Sequence, residues 1–117
     1  MTAETIIEGN KLIAEFMGVK DGQISVSKTR TIFSGPENGI EVFAFHKSWD
    51  QLMPVVERIE MMGCIVEISM CLGRMCRIRK VISNSQDWQA VHESNSSIEA
   101  VYLPVVEFIK WHNQNKA

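Results

Sequence analysis

Three segments of this chain carry apolar residues at helical spacing, and each is apolar along one side only. From Thr2 to Met17 the stripe is Ile6, Leu12, Ile13, Phe16 and Met17. From Ser48 to Gly63 it is Leu52, Val55, Val56, Ile59 and Met62, and from about Ile98 to Asn113 it is Ile98, Val101, Tyr102, Val105, Phe108, Ile109 and His112. A one-sided helix needs a surface on which to bury its stripe, so three of them in 117 residues demand a shared partner layer. Cap chemistry marks the ends. Thr2 suits an N-cap, Ser48 with Gln51 and Ser96 with Glu99 have capping-box spacing, Gly18 suits a left-handed stop, and Gly63 ends the second helix. Gly9, inside the first helix, weakens it by about 1 kcal/mol relative to alanine unless it marks a close approach.

The intervening segments supply that layer. ISVSKTRTIF, from Ile24 to Phe33, has period-two alternation at its start and reads as one strand. SGPENG is turn chemistry, and IEVFAFH, from Ile40 to His46, reads as the returning strand. CIVEISM puts Cys64, Val66, Ile68 and Met70 on one face and Glu67 and Ser69 on the other. MCRIRKVI returns with Cys76, Ile78 and Ile82 opposite Arg77 and Arg79, and WQAVHE, from Trp88 to Glu93, is a short further strand. The order α-β-β-α-β-β-(β)-α predicts one α+β domain over 1–117, an α/β/α sandwich with a mainly antiparallel sheet of four or five strands and three helices.

Two prolines test that reading. Pro54 lies six residues after Ser48 and Pro104 eight after Ser96, beyond the first turn, where a proline costs roughly 3 kcal/mol. Each helix buries several Val or Ile side chains at about 1.5–3 kcal/mol apiece, so both helices are expected to persist, bent. LMPVVERIE and YLPVVEFIK match at five of nine positions, fifty residues apart. Both an internal ββα duplication and chance likeness between two amphipathic helices fit, and the preceding strands do not match.

NKLIAEFMG (Asn10 to Gly18), SWDQLMPVVERIEMMG (Ser48 to Gly63) and SIEAVYLPVVEFIKWHN (Ser97 to Asn113) together resemble the phage ABA-sandwich family of small phage and prophage proteins, versions of which occur in gut Bacteroides-type bacteria. The family pattern is an LIAE-x-x-MG helix, a middle helix ending in E-(K/R)-(I/L)-x-x-x-G, and a final A-x-x-x-A-(V/L)-x-x-(F/L) helix. The likeness covers about a third of the residues, and both prolines and MCRIRK depart from it. It implies an α/β/α sandwich, a phage or prophage setting and no transferable catalytic residue.

Function is less constrained. A net charge of -2 disfavours bulk nucleic-acid binding. Glu4 and Glu8 break the basic-then-apolar order of a signal peptide, and no apolar run reaches membrane-spanning length. The odd count of three cysteines suits a reducing compartment, so the cytoplasm is expected. His46, His92 and His112 lie far apart, no CxxC or HxxxH pair occurs, and SGPENG lacks the Lys-Ser/Thr of a phosphate loop, so no metal or cofactor is expected. Cys64 and Cys76 read as core residues. Cys71, near a turn, could act as a nucleophile only with a base such as His46 or His92 beside it, which the spacing does not require. GRMCRIRK sets Arg74, Arg77, Arg79 and Lys80 within eight residues. With Lys28 and Arg30 on the first hairpin and Trp88 nearby, they form a candidate strip for a nucleotide or single-stranded nucleic acid. A solvated strand face paired to Glu67 explains the same residues. The expectation is a non-enzymatic interaction protein engaging a host protein, homodimeric, with no membrane contact; phosphorylated-ligand capture is the alternative.

Overall fold

The computed structural model describes residues 2–19, 24–26, 31–34, 40–69, 74–83 and 86–115. These form helix α1 (Ala3–Phe16), strands β1 (Ile24–Val26), β2 (Thr31–Ser34) and β3 (Ile40–Phe43), helix α2 (Trp49–Met61), strands β4 (Ile65–Ser69), β5 (Arg74–Ser83) and β6 (Gln86–Ser94), and helix α3 (Ser97–Asn115). The protein is α+β with antiparallel strands, ordered β1-β2-β3 and β4-β5-β6 in two three-stranded sheets. The predicted strand from Ile24 to Phe33 is two strands, because Val26 pairs back onto Thr31. The strand predicted to reach His46 stops at Phe43. There the chain turns, with the Lys47 and Ser48 amides both donating to the Ala44 carbonyl.

Caps follow side-chain chemistry with one substitution of partner. Thr2 Oγ1 accepts from the Thr5 amide at 3.2 Å, and Ser96 Oγ accepts from the Glu99 amide at 3.4 Å. Ser48 makes no side-chain cap bond. Gln51 Oε1 instead accepts from the Ala44 amide at 2.7 Å, clamping the turn that precedes α2. Gly18 (φ 94°) and Gly63 (φ 91°) leave α1 and α2 in the left-handed conformation.

Both prolines lie inside helices, as the sequence predicts. Pro54 is on the exposed side of α2, whose core side is Leu52, Val55, Val56 and Ile59; Pro104 is itself buried in α3. α3 is the central element. It packs on β5, β6, α1 and α2, and buries Val101, Tyr102, Val105, Phe108 and Ile109 completely. The β4–β6 sheet meets the core through Cys76 and Ile78, with Ala90 opposite Ile78, while Ile65 and Val91 remain exposed on the other face with Glu67, Arg77 and Arg79 between them. Cys64 and Cys76 are buried free thiols; burial raises both, Cys76 to about 12. Cys71 and Met70 lie outside the described residues.

α1 and α3 approach closely at Gly9. A Cβ on Gly9 would overlap the Tyr102 hydroxyl. That hydroxyl has one proton and two acceptors, the Ile6 carbonyl and Asn10 Oδ1, each at 3.1 Å. Asn10, 1% exposed, donates from Nδ2 to His46 Nδ1 at 3.1 Å, which leaves that ring nitrogen unprotonated. Burial, and secondarily the Lys47 charge, hold His46 below its ordinary pKa.

Two outcomes follow. Gly9→Ala should destabilise the protein by about 1–3 kcal/mol in urea melts despite alanine's better helix propensity, and Gly9→Ala with Tyr102→Phe should recover part of the loss. His46 binds its proton less readily folded than unfolded. Stability is therefore full above the unfolded pKa near 6.5 and declines as pH falls through it toward the lower folded value. Unfolding free energies at pH 7.5 and 5.5 should differ less in His46→Gln than in the parent.

Candidate functional site

The basic segment of β5 does not present its cations on one surface. Strand alternation puts Arg77 and Arg79 on the outer face of the sheet and Lys80, with Cys76 and Ile78, on the inner one. Register places Glu67 directly opposite Arg77, and a single Arg77 nitrogen reaches both Glu67 carboxylate oxygens, at 2.7 and 2.8 Å. Arg74 donates to the Asn95 carbonyl at 2.8 Å. Lys80 sits 5.9 Å above the Trp111 ring. Lys28 and Arg30 lie outside the described residues. Trp88 is opposite Lys80, half-buried, and stacked on Trp111 at 5.1 Å and 24°, with Phe108 at its edge. One ring face is thus already used in packing β6 to α3. His92 Nε2 and Glu107 Oε1, 2.9 Å apart, join the same two elements.

A different surface emerges where the helices end. From Trp88 a column of rings crosses α3: Trp111, then Phe108, then His112 stacked on Phe108 at 5.8 Å, then Phe16 of α1 at 6.0 Å from His112. Arg58 of α2 stands 5.5 Å over Phe16 and closes the column, as Lys80 does at the opposite end. Beside Arg58 is a cleft of about 250 Å³ lined by Glu15, Phe16, Met62, His112 and Asn113. It adjoins a second of about 360 Å³ lined by Met17, Pro54, Glu57, Met61 and Met62, and Arg58 and Met62 line both.

The outer side of α2 continues this apolar character. Trp49, Met53, Glu57 and Met61 are spaced four residues apart, so each lies about 40° further round the helix and together they form one slanting stripe. Trp49 and Met53 are just over one-third exposed, and Met61 is 87% exposed. In the sequence this stripe is overshadowed by the deeper one of Leu52, Val55, Val56 and Ile59. The signal is present as apolar residues running from the edge of the core face, where Trp49 lies within about 20° of Val56, to the opposite side of α2 at Met61. The cleft itself had no local signal, since it exists only where α1, α2 and α3 converge.

Among the described residues no three His, Cys, Asp or Glu side chains come together as metal ligands, and no helix is long and apolar enough to cross a membrane. The Arg77–Glu67 pair is half-exposed, so its worth is small. A double-mutant cycle with Arg77→Ala and Glu67→Ala should give a coupling of about 0.5–1 kcal/mol that shrinks in high salt. Compared with known protein families, curated proteins and solved structures, the chain matches none.

Proposed function

We propose that this chain is a small non-enzymatic binding protein of phage or prophage setting that docks another protein along the outer side of α2. The observation that carries the reading is Met61, 87% exposed, at the end of a stripe with Trp49 and Met53 and beside a methionine-lined cleft. Flexible thioethers conform to varied apolar partners, and they are favoured on such surfaces. The phage setting is supported by the resemblance of the three helical segments. A cytoplasmic location is supported by the free buried thiols of Cys64 and Cys76. Of the α/β/α sandwich expected from the sequence, the packing of α1 on β1 and β2 and of α3 on β5 and β6 supports a helix layer on one face of each sheet, and the other face of β4–β6 is open at Ile65 and Val91. Homodimer formation belongs to the same reading, with the exposed Ile65 and Val91 of β4–β6 as its support.

The arginine segment supports capture of a phosphorylated ligand less well. Arg77 already has a carboxylate, and Lys80 faces the opposite side of the sheet.

A photo-crosslinking side chain placed at Met61 should give a discrete protein adduct in the native host. The same side chain at Glu4, exposed in the first turn of α1, should not. Equal adducts at both positions, or none at Met61, would overturn the reading. Met53→Glu should reduce the Met61 adduct at least severalfold with the melting temperature unchanged.

A further inference from the structure

The two clefts beside α2 meet at a cation whose hydrogen-bonding edge is uncommitted. The Arg58 guanidinium carbon stands 5.5 Å over the centre of the Phe16 ring. A cation–ring contact ties up none of the guanidinium N–H donors in a hydrogen bond to oxygen. Among the described residues no carboxylate comes within ion-pairing range of Arg58. Glu15, which lines the smaller cleft, is 4.0 Å from Lys11 on its own helix. Glu57 precedes Arg58 in sequence and so projects about 100° away around α2. Besides Arg58 and the shared Met62, one cleft is lined by Phe16, His112, Asn113 and Glu15, and the other by Pro54, Met17, Met61 and Glu57.

A planar donor fork where a polar cleft meets a more apolar one matches a carboxylate borne next to apolar side chains. Resting on the reading of α2 as a docking surface, we propose that the groove receives a segment of a partner protein in which an Asp or Glu carboxylate binds Arg58 while its apolar neighbours enter the wall of Met17, Met61 and Met62. A monoanion fits better than a phosphate. Glu15 and Glu57 flank the site, and their repulsion grows with the ligand's charge. Arg58 then selects the partner, and the methionines supply contact area.

Three amphipathic 14-residue peptides test this, identical in their leucines and differing only in Glu, Gln or phosphoserine at one position on the apolar face. Binding is read from the methionine methyl resonances of the labelled protein. The Glu peptide should shift Met17, Met61 and Met62 and bind about tenfold more tightly than the Gln peptide, the strength of one charge-assisted contact. Arg58→Gln should abolish that preference without lowering the melting temperature, and Arg58→Lys should keep part of it. Glu and Gln peptides binding alike at the same methyls would overturn the role of Arg58 while leaving α2 as a docking surface. Preference for phosphoserine would reassign the site to phosphopeptides and overturn the proposal. Silence of all three peptides would also overturn it, whereas crosslinking at Met61 judges the docking surface separately.

Discussion

The close approach of α1 to α3 at Gly9 and Tyr102 sets the geometry of everything around it. The absence of a side chain at Gly9 lets the Tyr102 hydroxyl reach the backbone of α1, where it finds the Ile6 carbonyl and the Asn10 amide. Asn10 passes the connection to His46, in the turn that delivers the chain to α2. Three segments far apart in sequence are thereby locked around one buried hydroxyl. A polar group that deep is costly unless satisfied, so the arrangement is specific as well as stable. The middle of α1 is fixed by this contact, and its C-terminal end then brings Glu15, Phe16 and the following Met17 to the side of Arg58 and Met62.

Packing also explains why two helices tolerate proline. Each proline lacks the amide that would have reached the carbonyl four residues earlier, Asp50 in α2 and Ala100 in α3. In α2 the core side is intact because Pro54 faces outward. In α3 the ring of Pro104 joins a buried surface that includes Val101, Tyr102, Val105 and Phe108. At a few kcal/mol per buried side chain, the tertiary contacts outweigh one missing backbone bond in each case. The placement differs in consequence: Pro54 becomes part of the exposed cleft wall, while Pro104 becomes core.

The sequence revealed those features whose causes are local. Helical spacing located all three helices, Thr2 and the two left-handed glycines marked their ends, and alternation separated Cys76 and Ile78 from Arg77 and Arg79. The split between β1 and β2 was hidden because SKTR contains none of the glycine, proline or asparagine that usually announces a reversal. The Ser48–Gln51 box has the right spacing, but an amide from the preceding turn took the glutamine. The basic segment looked continuous in one dimension; register then matched Arg77 with Glu67 and turned Lys80 the other way. Arg58 has no signature in the sequence because its setting is assembled from three helices, and no single segment records that meeting.

The stacked pair of Trp88 and Trp111 has an optical consequence. Two indoles 5.1 Å apart couple their electronic transitions, so circular dichroism in the aromatic bands contains a signature of β6 lying on α3. Trp49, at the start of α2 and more than one-third exposed, stands apart from that ring column, and its emission responds to its own surroundings. The molecule thus has two intrinsic spectroscopic channels, one reporting on the integrity of its interior and the other on events at its exposed helix.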